Sequence, residues 1–315
     1  MAASILSSLS ASNIFDLRGV VAIVTGGGTG IGMMISSTLV ANGATVYIIG
    51  PVQEDLDRVC ENYNTACESV STRGRMHGVA GDVRLKSEAT RLAVEISKRE
   101  KAVTVLFNNA GITTGNYERP PPDAPASAYV SAYLDQITQE QFTDVLNTNA
   151  VGPYWLTFAF LPLLEAWKTT GVTEPGAEGQ VKARFAPQIV MTSSMNGWTK
   201  DPATGGFSFP YLFSKSALGH ATASLAHELL PLGIRVNGIA PGLFATGMTT
   251  HSWNEHGVST LPPSFQPSFT VPAEDTVGST RDMGSLALFL VANWFVNGET
   301  VLIDGGTLLK HPSSY

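Results

Sequence analysis

Residues 20–32 read Val-Val-Ala-Ile-Val-Thr-Gly-Gly-Gly-Thr-Gly-Ile-Gly, and this stretch decides the fold. Val20–Thr25 is a short apolar, β-branched run, the pattern of a buried strand. Three glycines follow directly, and Met33–Val40 then reads as a helix. Strand, glycine turn and helix start in that order form a phosphate cradle. Glycines allow positive φ and close backbone approach, while the free N–H groups and positive dipole end of the helix attract a pyrophosphate. The spacing here is Thr25-Gly26-x-x-x-Gly30-x-Gly32.

Working outward, the chain alternates strands and helices. Further strands are expected at Ala44–Ile49, Met76–Gly81, Val103–Phe107, Gln188–Ser193, Ile234–Ile239 and Thr300–Asp304. Between them lie helical spacings such as Ala89, Leu92, Ala93 and Ile96. That alternation predicts a parallel sheet covered on both faces, with ligands beyond the carboxyl ends of its strands. The glycine turn and Asn108–Gly111 both lie at such ends. No internal repeat and no strong linker divides the chain, so residues 17–315 are expected to form one domain behind a flexible N-terminal arm, 1–16.

Composition narrows the function classes. With 315 residues, 43% of them apolar, and a mean hydropathy of +0.10, the chain can bury a large core. Only 19 Lys and Arg, a net charge of −7 and no basic run argue against a nucleic-acid surface. Cys60 and Cys67 do not suggest a disulfide framework, and a reducing, cytoplasmic location is expected. Val151–Trp167 is the most apolar stretch, but Gly152, Pro153, Pro162 and Glu165 interrupt it and it is shorter than the ~18–20 residues of a spanning helix. No membrane association is expected. It reads instead as a buried or subunit-facing helix.

The chemistry is concentrated in Ser208–Lys215, Ser-Phe-Pro-Tyr-Leu-Phe-Ser-Lys. Pro210 marks a helix start, and Tyr211 and Lys215, four residues apart, then share a helical face. A neighbouring ammonium is expected to favour the phenolate and so to lower the tyrosine pKa, making Tyr211 a general acid or base. By itself Tyr-x-x-x-Lys equally describes a surface pair. Ser193 and Ser194 end the fifth strand at the same edge, and either hydroxyl could face the site. His251 and His256 lack a third ligand at metal-site spacing, so no metal is expected. Thr113–Gln136, with its prolines and tyrosines, reads as a functional loop or else a polyproline ligand. Thr169–Arg184 reads as a surface insertion, and Met248–Val271 as an aromatic lid over a substrate cleft.

Taken together, these motifs resemble the classical short-chain dehydrogenase/reductase family from about Leu17 to Leu308. Thr25, Gly26, Gly28, Thr29, Gly30, Ile31 and Gly32 resemble its cofactor turn, Asp82-Val83 its adenine contact, and Asn108-Asn109-Ala110-Gly111 its sheet motif. Pro241, Gly242, Leu243 and Thr246 are similar to the segment beside the nicotinamide. Asn297-Gly298 and Asp304-Gly305-Gly306 resemble the C-terminal signature. Asn149, Ser194, Tyr211 and Lys215 match the family's catalytic set.

The resemblance implies a Rossmann-type doubly wound parallel sheet of about seven strands and NAD(P)-dependent reduction of a carbonyl or oxidation of an alcohol. It implies that Ser194 and Tyr211 hold the substrate oxygen and that Tyr211 moves the proton. Lys215 would lower the tyrosine pKa and bind the nicotinamide ribose, and Asn149 would hold a water that refills the proton through Lys215. A homodimer or homotetramer through the helices at Val151–Trp167 and Tyr211–Leu230 is implied as well. The run from Ser194 to Tyr211 is longer than usual for the family. Gly50-Pro51-Val52, after the second strand, supplies neither the acid that binds an NAD ribose nor the base that receives the NADP phosphate. NADP(H) is favoured and NAD(H) stays open. The expected substrate is a fairly large apolar small molecule. A non-redox step on the same fold (dehydration, isomerisation or cyclisation) is the alternative, and a nucleotide-sensing regulator is disfavoured because all four catalytic positions are filled.

Overall fold

The computed structural model describes the chain except residues 1, 171–172, 176–180, 184, 251–253, 255, 263 and 274–276. Nine strands are described: β1 (Val21–Thr25), β2 (Thr45–Gly50), β3 (Arg75–Ala80), β4 (Val105–Asn108), β5 (Thr173–Pro175), β6 (Val181–Ala183), β7 (Gln188–Thr192), β8 (Arg235–Pro241) and β9 (Thr300–Ile303). Seven of them form one parallel sheet in the order β3-β2-β1-β4-β7-β8-β9. This is the parallel sheet covered on both faces that the alternation predicted, and the seven-stranded Rossmann-type sheet that the resemblance implied. β5 and β6 pair antiparallel with each other, within the stretch read as a surface insertion; the rest of that stretch lies largely outside the described residues.

Each strand presents alternate side chains to two separate cores, as its period of two requires. Ala22 and Val24 of β1, Val46 and Ile48 of β2, and Val105 and Phe107 of β4 face one layer, which holds Met33, Leu39, Leu56, Met283 and Leu290. That layer is built by helices Gly30–Ala41, Gln53–Cys67 and Thr280–Ala292. Ile23, Tyr47, Ile49 and Leu106 face the other layer, with Leu92, Ile96, Phe160, Leu164 and Leu218. Helices Lys86–Ser97, Gly152–Thr170 and Phe209–Glu228 build it. Strands buried on both faces explain why their sequences are apolar runs rather than alternating ones.

At β1 the sheet changes direction: β2 lies on one side and β4 on the other. Helices leave opposite faces there and a crevice opens beyond the carboxyl ends. Thr25 fastens its two walls. Its Oγ1 accepts from the backbone N–H of Asn109 at 2.9 Å and of Ala110 at 3.0 Å, and Asn109 Nδ2 donates to the Thr25 carbonyl at 3.0 Å. Gly26 turns the chain at φ 62°. A Cβ on Gly32 would stand 2.0 Å from the Gly26 carbonyl, so only glycine fits there.

Outside the sheet, Ala2–Ser8 and Ala11–Ile14 are short helices with no buried residue, whereas Leu17 is fully buried. No helix among the described residues is long and apolar enough to cross a membrane. The strand-turn-helix geometry yields a direct test. Gly32→Ala is expected to lower unfolding stability by about 1–3 kcal/mol, because a backbone carbonyl cannot move aside as a side chain can. Denaturant midpoints measure this, and a wild-type midpoint would mean that the turn yields.

Candidate active site

The helix bearing Tyr211 and Lys215 starts where the sequence placed it. Ser208 is the N-cap of Phe209–Glu228, its hydroxyl accepting from Tyr211 N–H at 3.3 Å, and Pro210 occupies the first turn, where no N–H is needed. Ser208 Oγ also donates to the Thr114 carbonyl, which ties the helix start to the loop after β4. One turn on, Lys215 is buried and its Nζ donates to the Thr192 carbonyl at the end of β7, 2.7 Å away. That cation lies 5.5 Å from the centroid of the Tyr211 ring.

The structure separates the two serines. Ser193 Oγ donates to the Lys215 carbonyl at 2.8 Å and is spent on anchoring the helix. Ser194 Oγ accepts from Asn196 N–H at 3.1 Å, donates to the Pro241 carbonyl at 3.4 Å, and is the side chain that acts to lower the Tyr211 pKa. Ser194 is therefore the serine that shares a site with the phenol.

Burial reverses one sequence expectation. The Tyr211 pKa is raised, chiefly by loss of water, with only Ser194 acting to lower it. The same desolvation pushes Lys215 down from 10.5 to about 8. An ammonium was expected to make the phenol more acidic. Instead the shared dry environment penalises both charged forms, and the phenol is held protonated.

Asn149 lies in a π-helical turn, Asn147–Val151, just before helix Gly152–Thr170. Pro153 has no N–H to offer the Asn149 carbonyl four residues back, which accounts for the break. The Asn149 side chain is fully engaged with protein. Oδ1 accepts from Ile112 N–H at 2.8 Å, and Nδ2 donates to the Ile112 carbonyl at 3.0 Å and to Ser214 Oγ at 2.9 Å. A Cβ on Gly111 would stand 3.3 Å from Asn149 Oδ1 and 3.5 Å from Lys215 Nζ, so Gly111 lets these two groups approach.

The remaining sequence-derived positions line the same edge. Thr29 precedes helix Gly30–Ala41 without a side-chain cap, so the first N–H groups of that helix keep no side-chain partner and fit a pyrophosphate. Gly28 and Ile31 complete the turn, and Thr246 packs against Gly30. Asn108 is buried, its Nδ2 bonded to Pro153 and Thr157 oxygens at 3.4 Å. Gly242 N–H donates to Ile303, and Leu243 leads into the apolar cavity beside helix Thr280–Ala292. Asp82 carries the guanidinium of Arg84 at 2.8 Å, which holds its carboxyl below the usual range; a Cβ on Gly152 would meet the Val83 carbonyl.

The region read as an aromatic lid divides. Gly257 packs against the Gly28 carbonyl, and the His256 carbonyl accepts from the Tyr63 hydroxyl at 3.2 Å, which places this part on the glycine turn. Phe269 stands against His311, while His251 and Trp253 lie outside the described residues. Among the described residues no group of three or more His, Cys, Asp or Glu could hold a metal. Sequence reasoning missed Thr114, Ser208, Asn196 and His311, each of which acts through a tertiary contact without a motif of its own.

Comparison with known proteins agrees with this architecture. The short chain dehydrogenase family profile matches residues 20–257. The short-chain dehydrogenase/reductase VdtF of Byssochlamys spectabilis is 35% identical over 98% of this chain and 99% of its own length. PhomF of Diaporthe leptostromiformis, described in the same terms, is 32% identical over the full length of both. Among solved structures, the Pseudomonas aeruginosa RhlG/NADP active-site complex superposes with a TM-score of 0.65 at 25% identity, covering 93% of this chain and 98% of RhlG. The likeness runs over whole chains, and this protein belongs to the short-chain dehydrogenase/reductase family of NAD(P)-dependent oxidoreductases.

Proposed function

We propose that the protein is an NADP(H)-dependent carbonyl reductase, equally able to run as an alcohol dehydrogenase, acting on a fairly large apolar small molecule. The feature that carries this reading is Tyr211 one helical turn from the buried Lys215, whose ammonium lies 5.5 Å from the ring centroid, with Ser194 beside the phenol. When bound, a nicotinamide supplies or accepts the hydride. Thr25, Gly26, Gly28, Thr29, Gly30, Ile31 and Gly32 would hold its phosphates, Asp82 and Val83 its adenine, and Asn108, Ala110, Gly111, Pro241, Gly242, Leu243 and Thr246 the walls of its site. Ser194 orients the substrate oxygen. Tyr211, kept protonated by burial, donates the proton in the reducing direction and takes it up in the oxidising one. Lys215 positions the phenol and a ribose hydroxyl. Because the Asn149 side chain is bonded to Ile112 and Ser214, a proton-refilling water would have to rest on its backbone carbonyl rather than its amide.

The preference for NADP(H) rests on the missing carboxylate at Gly50-Pro51 and on the NADP held by the Pseudomonas aeruginosa relative. Glu54 and Asp55, in the first turn of the next helix, are the groups that oppose it. The aromatic cluster of Tyr117, Tyr133 and Phe209, with ring centroids 4.6–5.4 Å apart beside the catalytic helix, supports a large apolar substrate.

The test is a fluorescence titration with NADPH and NADH, followed by a carbonyl panel with the tighter cofactor. Tyr211→Phe is expected to lower kcat by roughly 10²-fold or more, with cofactor affinity nearly unchanged. Normal turnover by that variant removes the assignment. Product formed without cofactor consumption supports the non-redox alternative.

Lys215 makes a second prediction. Its folded pKa, about 8, lies below the ordinary 10.5, so the unfolded chain binds more protons in that window and stability attributable to this group rises with pH. The burial cost is fully present below about pH 8 and fades toward 10.5. Wild type is therefore expected to gain on the order of 2 kcal/mol relative to Lys215→Met between pH 7 and pH 10. Denaturant unfolding at the two pH values measures it, and a pH-independent difference would place the ammonium in water.

We also infer a homodimer or homotetramer. Tyr154 and Phe158 on helix Gly152–Thr170 and Phe213 on helix Phe209–Glu228 are exposed aromatic side chains on the two helices expected to meet a second copy. Sedimentation at micromolar concentration should give twice or four times the monomer mass; a 33.3 kDa species overturns this.

A further inference from the structure

Residues His311–Tyr315 lie beyond every motif used so far, yet they run back to the serine loop. Ser313 forms an antiparallel bridge with Thr199, five residues after Ser194. Lys200 N–H donates to the Pro312 carbonyl at 2.8 Å, and Ser314 N–H to the Trp198 carbonyl at 2.8 Å. The Tyr315 ring packs on Trp198 with centroids 4.9 Å apart. On the other side, the same loop is pressed onto the catalytic helix. A Cβ on Gly197 would stand 3.0 Å from the Lys215 carbonyl, and Ser216 Oγ donates to the Gly197 carbonyl at 2.6 Å. The loop that follows Ser194 is thus held between the helix bearing Tyr211 and the 311–315 segment.

His311 pins this arrangement. Its Nε2 accepts from Thr270 N–H at 3.2 Å, so the ring proton sits on Nδ1 and is donated to Asp201 Oδ2 at 2.7 Å. Both ring nitrogens are used, and the side chain is only 13% exposed. Asp201 in turn closes the turn at the start of the long insertion, accepting from Ala203 N–H at 2.8 Å through Oδ1 and from Gly205 N–H at 2.9 Å through its carbonyl. Thr270 belongs to the segment that leaves β8 through Pro241–Thr246 and returns at Ala273, whose N–H donates to the Gly305 carbonyl. One imidazole therefore joins three segments distant in sequence, each of which leaves the carboxyl edge of the sheet near the site.

We propose that His311, with the segment it anchors, is a positioning element of the active site: it fixes the Ser194 loop against the catalytic helix and so sets the shape of the substrate-binding wall. This rests on the reductase reading above and extends it to a specificity-determining residue. A remote displacement of about 1 Å at a reacting group is enough to cost ~10²-fold in rate, so a pin of this kind is expected to matter kinetically.

The experiment compares full-length wild type with His311→Ala, which removes both hydrogen bonds, and His311→Gln, which keeps one donor and one acceptor. The readouts are hydrogen exchange across residues 194–201 and 268–273, NADPH affinity by fluorescence, and kcat and KM for the best ketone of the panel. In His311→Ala, faster exchange in both peptides and a loss of roughly tenfold or more in kcat/KM are expected, carried mainly by KM, with NADPH affinity within about twofold. His311→Gln should recover most of the loss. Unchanged exchange at 194–201, kinetic constants within about twofold of wild type, or a Gln variant as impaired as Ala would overturn the proposal. If wild type reduces no ketone, the reductase reading fails by itself, and the exchange comparison still decides whether His311 positions the loop.

Discussion

The site depends on one costly placement: a buried lysine one helical turn from a half-buried tyrosine. An ammonium in a dry pocket must be hydrogen-bonded or it will neutralise, and here it finds the Thr192 carbonyl at the end of β7. That bond is available because β7 ends where helix Phe209–Glu228 crosses it. Ser193 reinforces the crossing through the Lys215 carbonyl, and Gly197 allows the backbones to touch. The cap at Ser208 and the proline at 210 set where the helix begins and therefore which way Tyr211 points. Each of these residues serves the same end: they hold two reluctant groups at the rim of a crevice.

The crevice has a separate origin. It opens because the strand order reverses at β1, and it persists because Thr25 ties β1 to the exit of β4. The glycine turn then fills a space that leaves no room for a Cβ at position 32. Helix dipole and uncapped N–H groups come with that geometry rather than with any charged side chain. The glycine turn and the group formed by Ser194, Tyr211 and Lys215 are thus built from different strands and meet only because all strands of a parallel sheet end on the same edge.

Much of this was legible in the sequence because it is periodic or local. Seven apolar runs at βαβ spacing give the sheet, and Gly26-x-x-x-Gly30-x-Gly32 and Tyr211-x-x-x-Lys215 are local patterns with physical causes. What was not legible is tertiary. Ser193 and Ser194 are equivalent in sequence, and only the position of the Lys215 carbonyl assigns one to anchoring and leaves the other for the phenol. The Asn149 amide could not be seen to be committed to Ile112, 37 residues away. The bridge between Thr199 and Ser313 leaves no hydrophobic pattern, because it is made by backbone groups.

The reversed expectation for Tyr211 shows why such pairs must be argued from burial. Proximity to a cation lowers a phenol pKa only to the extent that the cation is charged and its field is not offset by the loss of solvation. Here desolvation acts on both partners, raising one and bringing the other to about 8. The two proton affinities, 10.0 and 10.5 in the free groups, are thereby driven apart. The phenol therefore holds its proton more firmly than the lysine does, and proton loss from the pair begins at the ammonium. At neutral pH, about one unit below its pKa, the lysine still carries its charge, and the Thr192 carbonyl is what keeps it there.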